Sequence, residues 1–226
     1  MRKMKETFKK NCIIISAICV INLIATIIFI IRLPDTVPTH FDFNMVCDGI
    51  GSRWSGIIAS AILCITVPLL IIGEGHGKNA SVNSKPMLIV LYFTTFLIVT
   101  VNWLVLMMME SGVGIGEKIN MEFGWIVLFL LGFMLLIIGN YMPTVRHNYT
   151  LGIRLPWTLK NEKCWNLTHR LAGKLHVLGG ILTLATAMAV KILDINYSIA
   201  FIVYLVLIIP VTILIPTVYA YQHRND

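Results

Sequence analysis

Six runs without a Lys, Arg, Asp or Glu constrain this chain more than any other feature: Cys12 to Ile31, Trp54 to Ile72, Pro86 to Met109, Phe123 to Met142, Leu175 to Val190 and Ile195 to Tyr219. A helix rises about 1.5 Å per residue, so roughly 20 apolar residues cross the ~30 Å hydrocarbon layer of a bilayer. The run beginning at Leu175 is the short one, and needs Leu171 or Ala172, or snorkelling by Lys174 and Lys191, to span. With 57% hydrophobic and 13% charged residues, a chain of 226 residues has too little polar material to coat a soluble globule. The expected fold is therefore all-α: a polytopic membrane helix bundle of six transmembrane helices plus a cytoplasmic amphipathic helix. Arg2, Lys3, Lys5, Lys9 and Lys10 precede the first run as they would in a secretory leader. That run is longer than a leader's apolar core and no A-x-A-like site follows, so it counts as a span.

Charge sets the expected sidedness, because loops rich in Lys and Arg stay in the cytoplasm. With the amino terminus inside, only Arg32, Arg53, Lys118 and Lys191 of the 18 Lys and Arg residues fall outside. The acids lean the other way: Asp35, Asp42, Asp48, Glu110, Glu117, Glu122 and Asp194 lie in outer segments. The formal charge of +7 then belongs to a surface facing anionic lipid, and no direct nucleic-acid contact need be invoked. The reading is a multi-pass protein of a bacterial plasma membrane with both termini cytoplasmic. Cys47 alone of the five cysteines is outside, so no intrachain disulfide is expected.

The outer stretch from Arg32 to Arg53 is backbone-constrained. Pro34 and Pro38 bias their predecessors toward extended conformations, Asp48-Gly49 and Gly51 favour turns, and Ser52 is placed to cap the second span. It carries His40, Asp42 and Asp48 beside Phe41 and Phe43. Three readings stay open for that cluster: a metal site, for which one His and two carboxylates lack motif spacing, a loop packed over the helix ends, and a surface facing a ligand.

The inner stretch from Gly139 to Lys174 is the only long polar segment between spans, and holds Arg146, Arg154, Lys160, Lys163, Arg170 and Lys174. Asn140 and Tyr141 finish the fourth span and Pro143 stops it; Asn148, Tyr149 and Gly152 point to a turn leading to Arg154. Pro156 and Trp157 suit the headgroup level, with Thr158 or Asn161 as a helix cap. In the helix that follows, Cys164, Leu167, Leu171, Leu175 and Leu178 make an apolar stripe, and Lys163, Asn166, Arg170 and Lys174 a polar, mainly cationic one. Thr168, His169 and Arg170 face different sides, with Trp165 between the stripes. The helix serves either as a membrane-surface anchor or as a docking surface. The segment as a whole reads either as a hydrogen-bonded plug or as a partner site.

Elsewhere the sequence predicts a flexible connector over Gly73 to Lys85, hydrogen bonds from Thr94, Thr95, Thr100 and Asn102 to their own helix or a neighbour, and kinks at Pro210 and Pro216. None of the six runs buries an acid, Lys or Arg, as a proton or ion pump requires. The HExxH, GxSxG and Walker A patterns are absent. His169 and His176 share a helical face but would need further ligands for a metal or haem. The expectation is no cofactor and no enzymatic activity.

Residues 139–174 resemble the SdpI family through GNYMP, then NYTLGIRLPWTL, then W-x-x-THR-L-x-G-K ending at Lys174. LPDTVPTHFDF followed by DGIGSRW resembles the DUF1648 motif that commonly precedes it. Met45 stands where a turn Gly is expected, Cys47 is unusual outside, and Leu155 replaces a Thr before the Pro-Trp pair. The resemblance implies a DUF1648-like segment over residues 1–80 and an SdpI-like segment over 81–226. It also implies two jobs: immunity to an extracellular peptide toxin, and recruitment of a cytoplasmic transcriptional repressor when toxin is present. The corresponding ligand or partner residues are His40, Asp42, Asp48, Asn140, Asn148, Arg154, Pro156, Trp157, Trp165, Thr168, His169 and Arg170. A transporter of a small amphiphile or of the toxin, and a metal-dependent membrane enzyme around His40 or His169, are the alternatives from other classes.

Overall fold

A computed structural model describes residues 2–42, 44–74, 80–119, 123–195 and 197–225. The chain divides into two compact units, Met1–Gly73 with Leu91–Met121, and Glu74–Val90 with Glu122–Asp226. Among the described residues, five helices are long and apolar enough to cross a membrane, over Glu6–Ile30, Asn83–Glu110, Gly124–Thr144, Glu162–Leu193 and Tyr197–Gln222. The second apolar run forms a shorter helix: a 3-10 turn Arg53–Ile57 leading into α2, Ile58–Glu74. Turn and helix together extend roughly 35 Å. Large aliphatic side chains such as Ile13, Ile21, Leu69 and Ile192 stand more than half exposed, as expected for faces solvated by lipid tails.

The first unit begins with α1, Arg2–Ile30, which contains no Pro or Gly. Pro34 disfavours the helical conformation at Leu33, and the chain turns through Ile31 to Leu33 into an antiparallel hairpin. Its strands are β1, Thr36–Phe41, and β2, Cys47–Ser52, with Val37 opposite Gly51 and irregular register around His40. The stretch from Arg32 to Arg53, expected to be ordered, thus forms a β-hairpin on an otherwise helical protein. The alternation that would reveal a strand is interrupted by Pro38 and the glycines. Cys47 exchanges backbone bonds with Gly116 and Glu117, and Ile119 N–H donates to Met45 O, so a segment after α3 covers the second edge of β2. Met45 has φ 63°, the conformation that a turn Gly would supply. Ser52 Oγ accepts from Trp54 N–H, so the predicted cap is present.

The helix α3, Ala80–Glu110, contributes its opening turns to the second unit and the rest, from Leu91, to the first. Helix is already present from Ala80, so the connector expected through Lys85 is shorter; residues 75–79 lie outside the described ones. The first unit's apolar core gathers Ile30, Leu33, Val37, Leu106 and Met109. Beneath it runs a buried polar chain: Asn22 Nδ2 donates to Ser60 Oγ (2.9 Å), Ser60 Oγ lies 2.9 Å from Thr26 Oγ1, and Asn102 Nδ2 donates to Thr26 (3.0 Å). Trp103 Nε1–H closes it on Asn22 Oδ1. Asn102 therefore bonds across to a neighbouring helix, while Thr95 and Thr100 bond back to Leu91 O and Phe96 O. Such groups need partners where no water competes.

The second unit is built on α4, Phe123–Tyr141, and α6, Glu162–Leu193. Two glycine pairs in antiparallel register bring them together. A Cβ on Gly139 would lie 2.8 Å from Gly173 O, and one on Gly180 would lie 2.8 Å from Gly132 O. Backbones this close are the small-residue packing mode of membrane helices. Between α4 and α6 lie a 3-10 turn, Met142–Thr144, and the short helix α5, Pro156–Lys160. The amphipathic helix and the fifth span are not separate: α6 is one continuous helix of 32 residues, capped at its start by Asn161 Oδ1. Its buried face also differs from the predicted leucine stripe. Cys164, Trp165, Thr168, His169, Ala172 and Gly173 are buried, while Leu167, Leu171 and Leu175 are only half-buried and Leu178 is exposed, because glycine-distance packing takes the small side. The last run is α7, Tyr197–Val203, a π segment Tyr204–Ile208, and α8, Ile209–Gln222. Pro210 has no N–H for a regular helical bond, and the wider turn before it absorbs that loss.

Candidate functional site

The segment between Met142 and Asn161 has almost no ladder of its own, and side chains staple it instead. Asn148 does the most: Oδ1 accepts from Thr150 N–H and Leu151 N–H (both 2.7 Å), and Nδ2 donates to Arg146 O (2.6 Å) and Leu151 O (3.1 Å). This is an Asx turn with both amide ends used. From α3, Asn83 pairs with the Arg146 backbone twice, Nδ2 donating to its O (3.0 Å) and Oδ1 accepting from its N–H (2.8 Å). From α6, Trp165 Nε1–H donates to Val145 O at 2.9 Å.

His169 is the second anchor. Ile153 N–H donates to His169 Nε2 at 3.0 Å, so that nitrogen carries no proton, and Nδ1–H donates to Trp165 O at 2.8 Å. The ring is a neutral tautomer with both nitrogens engaged. It stacks on Trp165 with centroids 4.0 Å apart, and His147 meets the other side of Trp165 edge-on at 5.1 Å. Gly152 makes this approach possible: its φ is +106°, and a Cβ there would sit 2.3 Å from His169 Nε2. Thr158 completes the loop, accepting from Leu155 N–H (2.8 Å) with its hydroxyl 2.8 Å from Ile153 O.

The sequence-predicted residues divide into two groups. Asn148, Trp165, Thr168 and His169 are buried and brought together inside the segment. Asn140, Arg154, Pro156 and Arg170 are exposed on it. Arg154 donates to Tyr149 O at 2.6 Å. Trp157 is half-buried with its ring edge-on to Tyr221, 5.4 Å between centroids. Trp157 Nε1 and Thr168 Oγ1 are buried without a hydrogen-bond partner. The cationic stripe of α6 is fully outward: Lys163, Asn166, Arg170 and Lys174 are all exposed. Asn83 carries no sequence signal for its role, since it falls in an apparent connector. The glycine pairs do carry one, a seven-residue spacing repeated in α4 and α6.

At the hairpin, His40 Nδ1 lies 2.5 Å from Asp48 Oδ1 across the strands, with both side chains exposed. Asp42 serves the turn instead: its Oδ1 accepts from Asn44 N–H (2.8 Å) and Val46 N–H (2.9 Å). Bonding from Val46 first, partly offset by desolvation, and then from Asn44, holds its carboxyl below the ordinary range. Phe43 lies outside the described residues. Among the described residues no three His, Cys, Asp or Glu side chains group as a metal site would require. Arg53, not singled out by sequence, ties the hairpin base: Nη1 donates to Leu33 O (2.6 Å) and Nη2 pairs with Asp35 (3.0 Å).

A family model described as the SdpI/YfhL protein family matches residues 144–220, and a domain of unknown function, DUF1648, matches residues 17–65. Neither curated proteins nor solved structures gave a match.

Proposed function

Starting from a chain that belongs to the SdpI/YfhL protein family, we propose that it protects a bacterial cell from an extracellular peptide toxin and signals the toxin's presence to a cytoplasmic repressor. The observation that carries this reading is the signature segment. Its buried residues interlock as scaffold, while Arg154, Lys163, Arg170 and Lys174 stand exposed as a cationic platform suited to an acidic protein surface. The hairpin, with exposed His40 and Asp48, supplies the face for the peptide. The excess of Lys and Arg in the signature segment supports a cytoplasmic side for it and an outer side for the hairpin. The polar chain of Asn22, Ser60, Thr26 and Asn102 links helices to one another; a permease is the alternative reading, which a buried polar pathway through the bundle would favour.

Two experiments test this. A toxin-sensitive bacterium expressing the chain should survive a sporulation-delaying-type peptide, and an Arg154→Ala, Arg170→Ala pair should lose protection or signalling while remaining inserted. Normal protection and signalling by that pair sinks the platform's role. Sidedness is read by thiol labelling in intact cells. Native Cys47 and Cys164 are both 0% exposed and report burial instead, so the reporters are Thr39→Cys and Lys163→Cys, both at exposed positions. Labelling of position 163 with position 39 spared reverses the proposed orientation.

A further inference from the structure

The second unit contains a cavity of about 470 Å³, within the roughly 300–1,000 Å³ of small-ligand sites. Its walls are Val90 of α3, Ile137 and Ile138 of α4, Leu151 and Leu155 of the signature segment, and Ile213 of α8. Apart from Tyr141, the polar side chains that reach it are turned back on their own helices. Thr212 bonds to Ile208 O (2.9 Å), Thr217 to Ile213 O (2.8 Å), and His176 Nδ1 to Ala172 O (2.7 Å). What the cavity offers is hydrocarbon.

The charged residues that adjoin its lining in sequence have one sign. Lys85 precedes the lining residue Pro86, Arg146 follows Val145, and Arg154 lies between Ile153 and Leu155; all three cations are exposed. No Asp or Glu lines the cavity or adjoins a lining residue in sequence. Apolar walls bordered by cations, where membrane helices give way to a polar segment, match a molecule with a hydrocarbon tail and an anionic head. A neutral lipid would leave the cations unanswered, and a peptide arriving from outside would meet the hairpin rather than the basic segment.

We propose that this cavity is a binding site for one anionic phospholipid, an acyl chain filling it and the phosphate held by Arg146, Arg154 and Lys85. The site touches the signature segment at Leu151, Gly152, Ile153 and Leu155, and it stands independently of the toxin reading.

The test is native mass spectrometry of the full chain released from detergent with equal amounts of phosphatidylglycerol, phosphatidylcholine and oleate, the phospholipids having identical chains. One phosphatidylglycerol should be retained about tenfold over phosphatidylcholine. The Arg146→Gln, Arg154→Gln pair should bring that ratio close to one. Val90→Trp, which fills the cavity from α3, should remove the retained lipid, and Thr217→Trp does the same from α8 should the first variant fold poorly. Equal retention of both phospholipids by the unmodified chain, preferential retention of oleate, or phosphatidylglycerol binding untouched by a folded cavity-filling variant overturns the site.

Discussion

The hairpin and the signature segment are both interruptions of a helical membrane protein, but they are held in opposite ways. In the hairpin, the strands are held backbone to backbone, β1 with β2 and β2 with the segment around Glu117, with side chains helping at the turn, Asp42, and the base, Arg53. Side chains such as His40 and Asp48 are left on the surface. In the signature segment, side chains hold the backbone: Asn148, Asn83, Trp165 and His169 satisfy peptide groups that no ladder reaches. The first arrangement lets surface residues vary without cost to the fold. The second makes most of its residues structural, so that losing function there does not by itself identify a contact.

The largest effects should fall inside the signature segment. Gly152→Ala forces a side chain into φ +106° and against His169. Backbone strain alone costs about 1–3 kcal/mol, so a clear drop in melting temperature in detergent is expected. An unchanged melt would mean that the His169–Ile153 contact is not fixed. His169→Ala should follow, since it strands a half-buried amide, at a cost toward the lower end of about 1–3 kcal/mol, and removes the stack on Trp165. A side chain with an acceptor at similar reach, as in His169→Gln, should recover part of that loss. Should His169→Ala melt normally yet abolish protection, the ring is a contact and the scaffold reading of it fails.

Intermediate effects separate the platform from the scaffold. Arg170→Ala changes an exposed residue and should alter stability by less than about 0.5 kcal/mol. Its effect should instead appear in partner recruitment, measured as retention of a repressor in membrane fractions. At the hairpin, His40→Ala and Asp48→Ala break an exposed pair of a kind typically contributing about 0–1 kcal/mol. Weakened toxin response at unchanged melting temperature would confirm that this face is free to recognise. A large melting shift would erase the distinction between the two regions.

The same distinction explains what could be read from sequence. Hydrocarbon-length runs and the basic segment follow from composition along a line, so the helices and the polar side chains of the third span were accessible. So was the turn at Asn148, whose bonds are local. The hairpin was not, because Pro38 and the glycines hide strand periodicity and the second edge of β2 is paired by residues after α3. Nor was the role of Asn83, which acts on Arg146 from 63 residues away. Trp165 and His169 were recognised as candidates, but their inward orientation is fixed by Val145 O and the Ile153 amide of the preceding segment, which no single helix's pattern contains.

The smallest expected effect concerns pH at the hairpin turn. The Val46 amide, then that of Asn44, keeps the Asp42 carboxyl below its ordinary range. A depressed folded-state value means that the ionised carboxylate stabilises the turn at neutral pH. That contribution is present above the unfolded carboxyl range, about pH 4, and fades as pH falls through the lower folded value. Hydrogen exchange at Asn44 and Val46 should therefore exceed its intrinsic acid trend as the pH drops below about 4, while Cys47 N–H, bonded to Glu117 O, stays protected. Asp42→Asn should flatten that response, because an amide keeps an acceptor oxygen without titrating. If Cys47 loosened together with Asn44 and Val46, the ladder would depend on the carboxylate, and the hairpin would be held by side chains after all.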